Sequence, residues 1–182
     1  MSKPDRITLG SGKVYYKEFD GKTIPENNAI EVDNNILGNI SGGATLEYKP
    51  SYYRAKDDLG LIAKDILTEE EVNFKTGIMT FNGKTLEVLC ETGRVTETSG
   101  MRTVKIGGIS TQSGKSYIIH FVHEDKIEGD IRVTIVGKNQ AGFALTFAKD
   151  KETVIDAEFK AFPQDQEGTL IKYQEEIPVV EE

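Results

Sequence analysis

The residues with the most chemical promise are Gly114, Lys115 and Ser116, which follow a glycine-bearing stretch and precede an apolar run in GGISTQSGKSYIIHFV, residues 107–122. A phosphate-binding loop carries glycine, four residues, then Gly-Lys-Ser or Gly-Lys-Thr. That length lets successive backbone N–H groups wrap a phosphate while the lysine reaches the outer oxygens. Here Ile109 stands where the first glycine belongs, and Gly108 is one residue early. The loop also needs a helix after the lysine. Tyr117, Ile118, Ile119, His120, Phe121 and Val122 instead form a β-branched and aromatic run that reads as a strand. The stretch is therefore expected to be a turn between two strands. Gly10-Ser11-Gly12-Lys13, ahead of Val14-Tyr15-Tyr16, fails on the same ground.

Other chemistries fare no better. His120 and His123 are the only histidines, and residues three apart on a strand point to opposite faces, so they do not converge on a metal. His120 is expected to be half-buried and His123 solvated. Nucleophilic catalysis needs a serine, threonine or cysteine beside an oriented base. The nearest approach to a Gly-x-Ser-x-Gly elbow, Gly108-Ile109-Ser110-Thr111-Gln112, lacks its second glycine. Acidic clusters at Asp57-Asp58, Glu69-Glu70-Glu71, residues 125–130, residues 165–167 and the C-terminal end do not follow calcium-loop spacing and read as solvated turns and a frayed end. Asn39-Ile40-Ser41 matches a glycosylation acceptor, which has no consequence without secretion. No enzyme activity, cofactor or metal is expected.

Composition sets the frame for whatever remains. The chain has 182 residues, enough for one substantial core, and 18 glycines against 5 prolines fit many turns. Its 22 basic and 30 acidic residues give a formal charge of −8, which opposes adhesive binding to nucleic acid. A single cysteine, Cys90, excludes an intrachain disulfide and reads as core filler. No apolar stretch approaches the roughly 20 residues of a membrane span, and residues 1–6 lead into no signal-peptide core. The chain is expected to be cytosolic, or released by lysis.

Period-two patterning dominates the chain. Ile131, Val133 and Ile135 alternate with polar neighbours, as do Phe143, Leu145 and Phe147 across a turn at residues 137–140, then Ile155, Ala157, Phe159 and Ala161; residues 169–173 continue the series. These four strands are expected to form an antiparallel meander. Residues 14–19, 45–49, 72–78 and 103–106 add further strands. Eight or nine strands are too many for one flat sheet, so a mainly β, antiparallel sandwich or barrel is predicted as a single domain. One short helix is expected from an Asn82 cap to Gly93, with Leu86, Leu89 and Cys90 on one face.

Two segments break the pattern. Between residues 50 and 71, Leu59, Ile62, Ala63 and Ile66 have helical spacing but are interrupted by Gly60 and flanked by charge. The segment reads either as an arm that docks elsewhere or as a helix on the domain's own surface. In residues 117–122 both strand faces, Tyr117, Ile119 and Phe121 on one and Ile118, His120 and Val122 on the other, are largely apolar, so each needs a cover: the domain core for one, a helix or a neighbouring subunit for the other.

The layout and three stretches, GGATLEYKPSYYRAKDDLG (residues 42–60), EEVNFKTGIMTFNGKTLEVL (70–89) and VIDAEFKAFPQDQEGTLIKYQEE (154–176), resemble the major tail tube proteins of phages and prophages from Gram-positive hosts, relatives of the type VI secretion tube protein. The resemblance implies a homohexameric ring whose inner sheets join into one barrel. Rings then stack into a tube, part of the virion tail and assembled in the host cytoplasm, that conducts genomic DNA without binding it specifically. It also implies that a long loop, by position residues 50–78, reaches the adjacent ring. N- and C-terminal segments help bind the stack, and residues 177–182 are expected to be a flexible acidic tail. Tyr52, Tyr53, Arg54, Leu59, Ile62 and Ile66 then become candidate stacking residues, and Ile118, His120 and Val122 a candidate subunit interface. Tape-measure, terminator, baseplate and sheath proteins are the implied partners, with no membrane. Alternating Asp156, Glu158 and Lys160 against Ile155, Ala157 and Phe159 suits a wet lumen face. The alternatives are a terminator or other ring protein of the same apparatus, and a carbohydrate-binding β-sandwich module. The second is weakened by the absence of tryptophan.

Overall fold

In the computed structural model, which describes residues 7–177, the alternating segments form a mainly β, antiparallel architecture of two sheets that does not close into a barrel. In chain order the elements are β1 (Lys13–Glu18), α1 (Asn27–Ile30), a 3-10 turn (Asp33–Asn35), β2 (Ile36–Gly38), β3 (Ile40–Lys56), β4 (Ala63–Ile78), α2 (Gly83–Leu89), β5 (Arg94–Thr98), β6 (Met101–Lys105), a 3-10 turn (Ile109–Thr111), β7 (Tyr117–His123), β8 (Ile131–Asn139), β9 (Ile155–Phe162) and β10 (Lys172–Glu175). The large sheet runs β2-β1-β7-β8-β9-β4-β3, with β10 also on β8; β5 and β6 form a separate hairpin.

The large sheet curls on itself. Its two edge strands, β2 and β3, are separated in sequence by Asn39 alone, so the sheet bends until its edges meet at that corner. There the Asn39 N–H donates to Thr80 Oγ1 at 2.7 Å and the Met79 N–H to the Asn39 carbonyl at 2.7 Å. Neighbouring strands lie about 4.8 Å apart. Phe121 on β7 and Phe74 on β4 are three strand spacings apart in the sheet, yet their ring centroids are 6.0 Å apart. The hollow of the curl holds Val14, Leu37, Phe74, Ile78, Ile119, Ile135, Ile155 and Phe159 in one core. The helix α2 also packs there, through Val88 and Leu89. Asn82 caps it by accepting from the Lys84 and Thr85 N–H groups, and Thr85 returns a capping-box bond. The helix is shorter than expected and its buried face is Thr85, Val88 and Leu89 rather than Leu86, Leu89 and Cys90. Cys90 is half-buried, in extended backbone.

Both faces of β7 are buried, as its doubly apolar pattern requires, but the cover comes from the chain itself. Ile118 and Val122 pack with Tyr15, Ile30 and Val136, and Phe19, Ile24 and Ile36 close the layer. Ile118 (1% exposed), His120 (0%) and Val122 (2%) are therefore not a surface for a neighbouring subunit. The sequence hid this cover because α1 has only four residues.

His120 is fully buried rather than half-buried, because both ring nitrogens find partners. Nδ1 lies 2.7 Å from Thr134 Oγ1 and Nε2 lies 2.9 Å from Glu31 Oε1. Burial lowers its pKa, opposed by the Glu31 hydrogen bond, so a neutral ring donates Nε2–H to Glu31 and accepts from the Thr134 hydroxyl. Burial alone would raise the Glu31 carboxyl. Hydrogen bonds from Arg132 and His120 outweigh it and hold the carboxyl below its ordinary range. Arg132 also reaches Asp130 and Glu176, at 3.2 and 2.7 Å, tying the α1 region, the 125–130 turn and the end of β10 together. His123 is buried as well, 2.7 Å from the Ser11 carbonyl.

Several other expectations change. β8 runs straight through Gly137–Asn139 and pairs directly with β9, Asn139 facing Phe159. Residues 143–147 consequently have no strand edge to join and lie in irregular backbone, though Phe143 and Leu145 still pack on the core. Of the four strands expected in the meander three form, and only β8 and β9 follow it: β10 starts at Lys172 and returns to pair with β8 rather than β9. The Gly-Lys-Ser stretch is no tight turn: it belongs to a long link from β6 in one sheet to β7 in the other. Lys115 Nζ sits 3.0 Å from Glu18 Oε2 and the Gly114 N–H donates to Glu91. The 177–182 tail lies outside the described residues except for Ile177. No helix among the described residues is long and apolar enough to cross a membrane.

Candidate assembly surface

The segment read as a docking arm or a surface helix forms neither a loop nor a helix. Residues 49–71 are the outer half of a long hairpin formed by β3 and β4, which pair from Ile40↔Ile78 out to Lys56↔Ala63. At its base β4 is held on the other side by β9, but that ladder ends at Asn73↔Lys160. Beyond it the two strands project as a ribbon with two free edges. β3 is also the edge of the whole sheet. An isolated two-stranded ribbon is marginal in water, and a long free edge invites pairing.

Local chemistry closes the ribbon. At the tip the Gly60 N–H donates to the Asp57 carbonyl at 3.0 Å, with Gly60 in left-handed backbone at φ 68°, a conformation that costs glycine little. The Asp57 carboxylate accepts from the Ile62 N–H at 2.7 Å. At the base, Gly42 and Gly43, both at positive φ, form the bulge between Ser41 and Ala44 where the register shifts.

Side chains directly across an antiparallel ladder share a face. Tyr52 and Leu67 form one such pair, Tyr53 and Ile66 the next, on the opposite face. Arg54 then makes a two-pronged bond to Asp65, 2.6 and 2.8 Å. Tyr52 is 61% exposed, Tyr53 63%, Leu59 81% and Ile62 72%, and Leu61, Ile66 and Leu67 are exposed too. Both faces of the ribbon and its tip thus present apolar side chains to solvent. The six residues Tyr52, Tyr53, Arg54, Leu59, Ile62 and Ile66 all fall on this arm. Leu61 and Leu67 belong with them. The signal for Leu67 was the mirror symmetry of Tyr-Tyr-Arg and Asp-Ile-Leu about Leu59-Gly60.

The polar face of β3, β4 and β9 is a second surface. Lys75 bridges Glu47 and Glu158 at 3.1 and 3.7 Å, Lys49 reaches Glu47 at 3.1 Å, and Lys160 reaches Glu71 at 3.7 Å. Each lysine there is matched with a carboxylate of the same face. Such exposed pairs add little stability, but they leave no cationic patch for a phosphate backbone. Among the described residues no group of three or more His, Cys, Asp or Glu side chains is placed to hold a metal ion. Neither a protein-family model nor a curated protein matches this chain.

Proposed function

We propose that this chain is a self-assembling structural subunit of the tail tube type: copies join side by side into a ring, a homohexamer by resemblance, and rings stack into a tube through the arm. The observation that carries the reading is the arm, a ribbon apolar on both faces that the subunit's own body leaves uncovered. The free edge of β3 supports lateral joining, because pairing edges between copies removes the unpaired backbone groups. The matched charges on β3, β4 and β9 suit a lumen wall along which DNA slides without sticking, and the net charge of −8 acts in the same sense. The function is geometric rather than catalytic, with residence in the virion tail and contacts to other tail proteins.

Negative-stain electron microscopy of the purified protein at rising concentration tests the reading. Hollow tubes of uniform width are expected. Single rings that never stack would favour a terminator-like role, and a dispersed monomer at all concentrations would rule both out.

A further inference from the structure

We propose that the receptor for the arm tip is the groove beneath residues 141–154 of the next copy in the stack. The inference rests on the stacking reading and names its partner surface. The groove has a volume of about 680 Å³ and is lined by Phe143, Ala144, Ala148 and Val154 together with Lys151 and Glu152. A cavity of about 150 Å³ already holds a benzene-sized group, so several aliphatic side chains of the tip fit.

Three observations select this occupant. The first is polarity. Asp156, at the groove, pairs with Gly77 near the base of the hairpin, whereas the tip leaves the sheet past the other end of the same ladder, beyond Asn73↔Lys160. Tip and groove therefore lie past opposite ends of the β4–β9 ladder. Such a head-to-tail pair of surfaces cannot close a two-fold dimer, and where its rotation does not close a ring it produces an open stack. The span of β4 from Gly77 to Ala63 is roughly 45 Å at about 3.3 Å per residue, which sets an upper bound on the axial repeat. The second is chemistry. The tip offers Leu59, Leu61 and Ile62, all exposed, to the apolar half of the lining, Phe143, Val154 and three alanines. The third is charge. The groove carries Lys151 beside Glu152 and Asp156, and the tip carries Asp57 and Asp58 beside Lys56 and Lys64, so each has both signs of charge to set against the other.

Cysteine cross-linking of the full chain, in a Cys90→Ser background, provides the test. Ile62→Cys combined with Ala144→Cys should give a ladder of disulfide-linked multimers containing most of the protein. The two single variants mixed together should stop at dimers. Ile62→Cys with Met101→Cys, which places the second thiol on the β5–β6 hairpin, should give no ladder. A second pair, Leu59→Cys with Ala148→Cys, serves if the first disturbs folding. Tubes that form normally while neither tip–groove pair cross-links would overturn the receptor assignment and leave stacking intact. Wild-type protein that never assembles would overturn both.

Discussion

Strand β7 and the outer half of the β3–β4 hairpin pose the same problem and solve it differently. Each carries apolar side chains on both faces. In β7 the second face is sealed inside the subunit by Ile30 and its neighbours, with Tyr15, Ile118, Val122 and Val136 all buried. In the arm, Tyr52 and Leu67 on one face and Tyr53 and Ile66 on the other remain in solvent. Burying apolar surface is the main favourable term in both folding and association. Period-two patterning with two apolar faces therefore specifies that a cover exists but not which chain supplies it. The difference assigns β7 to the stability of the subunit and leaves the arm's apolar pairs uncovered there, the cover that the proposed assembly would supply.

The largest effect should come from removing the arm. Replacing residues 53–66 by Asn-Gly closes the ladder at Tyr52↔Leu67 with a two-residue hairpin turn suited to the strand twist. This variant is expected to keep its circular dichroism and its melting temperature while losing all tubes in the microscope. Normal tubes would break the comparison. Truncation in the body should act the opposite way. Phe159→Ala, at a site with 0% exposure, should cost about 3–5 kcal/mol in denaturant titrations.

An intermediate effect is expected at the half-buried ion cluster that ties down the covering segment of β7. Glu31→Gln removes charge-assisted bonds to Arg132 and His120, each hydrogen bond to a charged group being worth about 1.5–3 kcal/mol. Because the folded-state carboxyl titrates below its ordinary value of 4.5, its contribution is fully present above that value and is lost as pH falls through the folded pKa. The gap between wild type and variant, measured by urea titration, should thus be widest near neutrality and narrow below about pH 4.5. The smallest effect belongs to Ile62→Ala, which should change subunit stability by no more than about 0.5 kcal/mol while still weakening assembly in sedimentation runs.

How far the sequence reveals this division depends on periodicity. The β9 alternation of Ile155, Ala157, Phe159 and Ala161 is legible because one face is buried and the other wet, and the Asn82 cap is legible because its chemistry is local. The hairpin was not, since consecutive apolar residues at Tyr52-Tyr53 and Ile66-Leu67 erase a period of two, and Leu59, Ile62, Ala63 and Ile66 mimic a period of 3.6. Residues 143–147 mislead for the converse reason. Their alternation is sound, but β8 continues past its expected end and takes β9 as its partner. The cover over Ile118, His120 and Val122 is a tertiary fact, set by a four-residue helix and by partners as distant in sequence as Glu31 and Thr134. The candidate stacking residues follow from the resemblance and their position, whereas their pairing, Tyr52 with Leu67 and Tyr53 with Ile66, needed the hairpin register.

Amide hydrogen exchange, followed residue by residue from dilute to concentrated protein, reports directly on who covers what. In dilute solution β7 and β8 should be strongly protected and residues 49–71 should exchange quickly; on concentration the arm should gain protection in step with tube formation while β7 and β8 stay unchanged. An arm already as protected as β7 in the dispersed subunit, or one still unprotected in assembled tubes, would contradict the claim that other copies of the chain provide its cover.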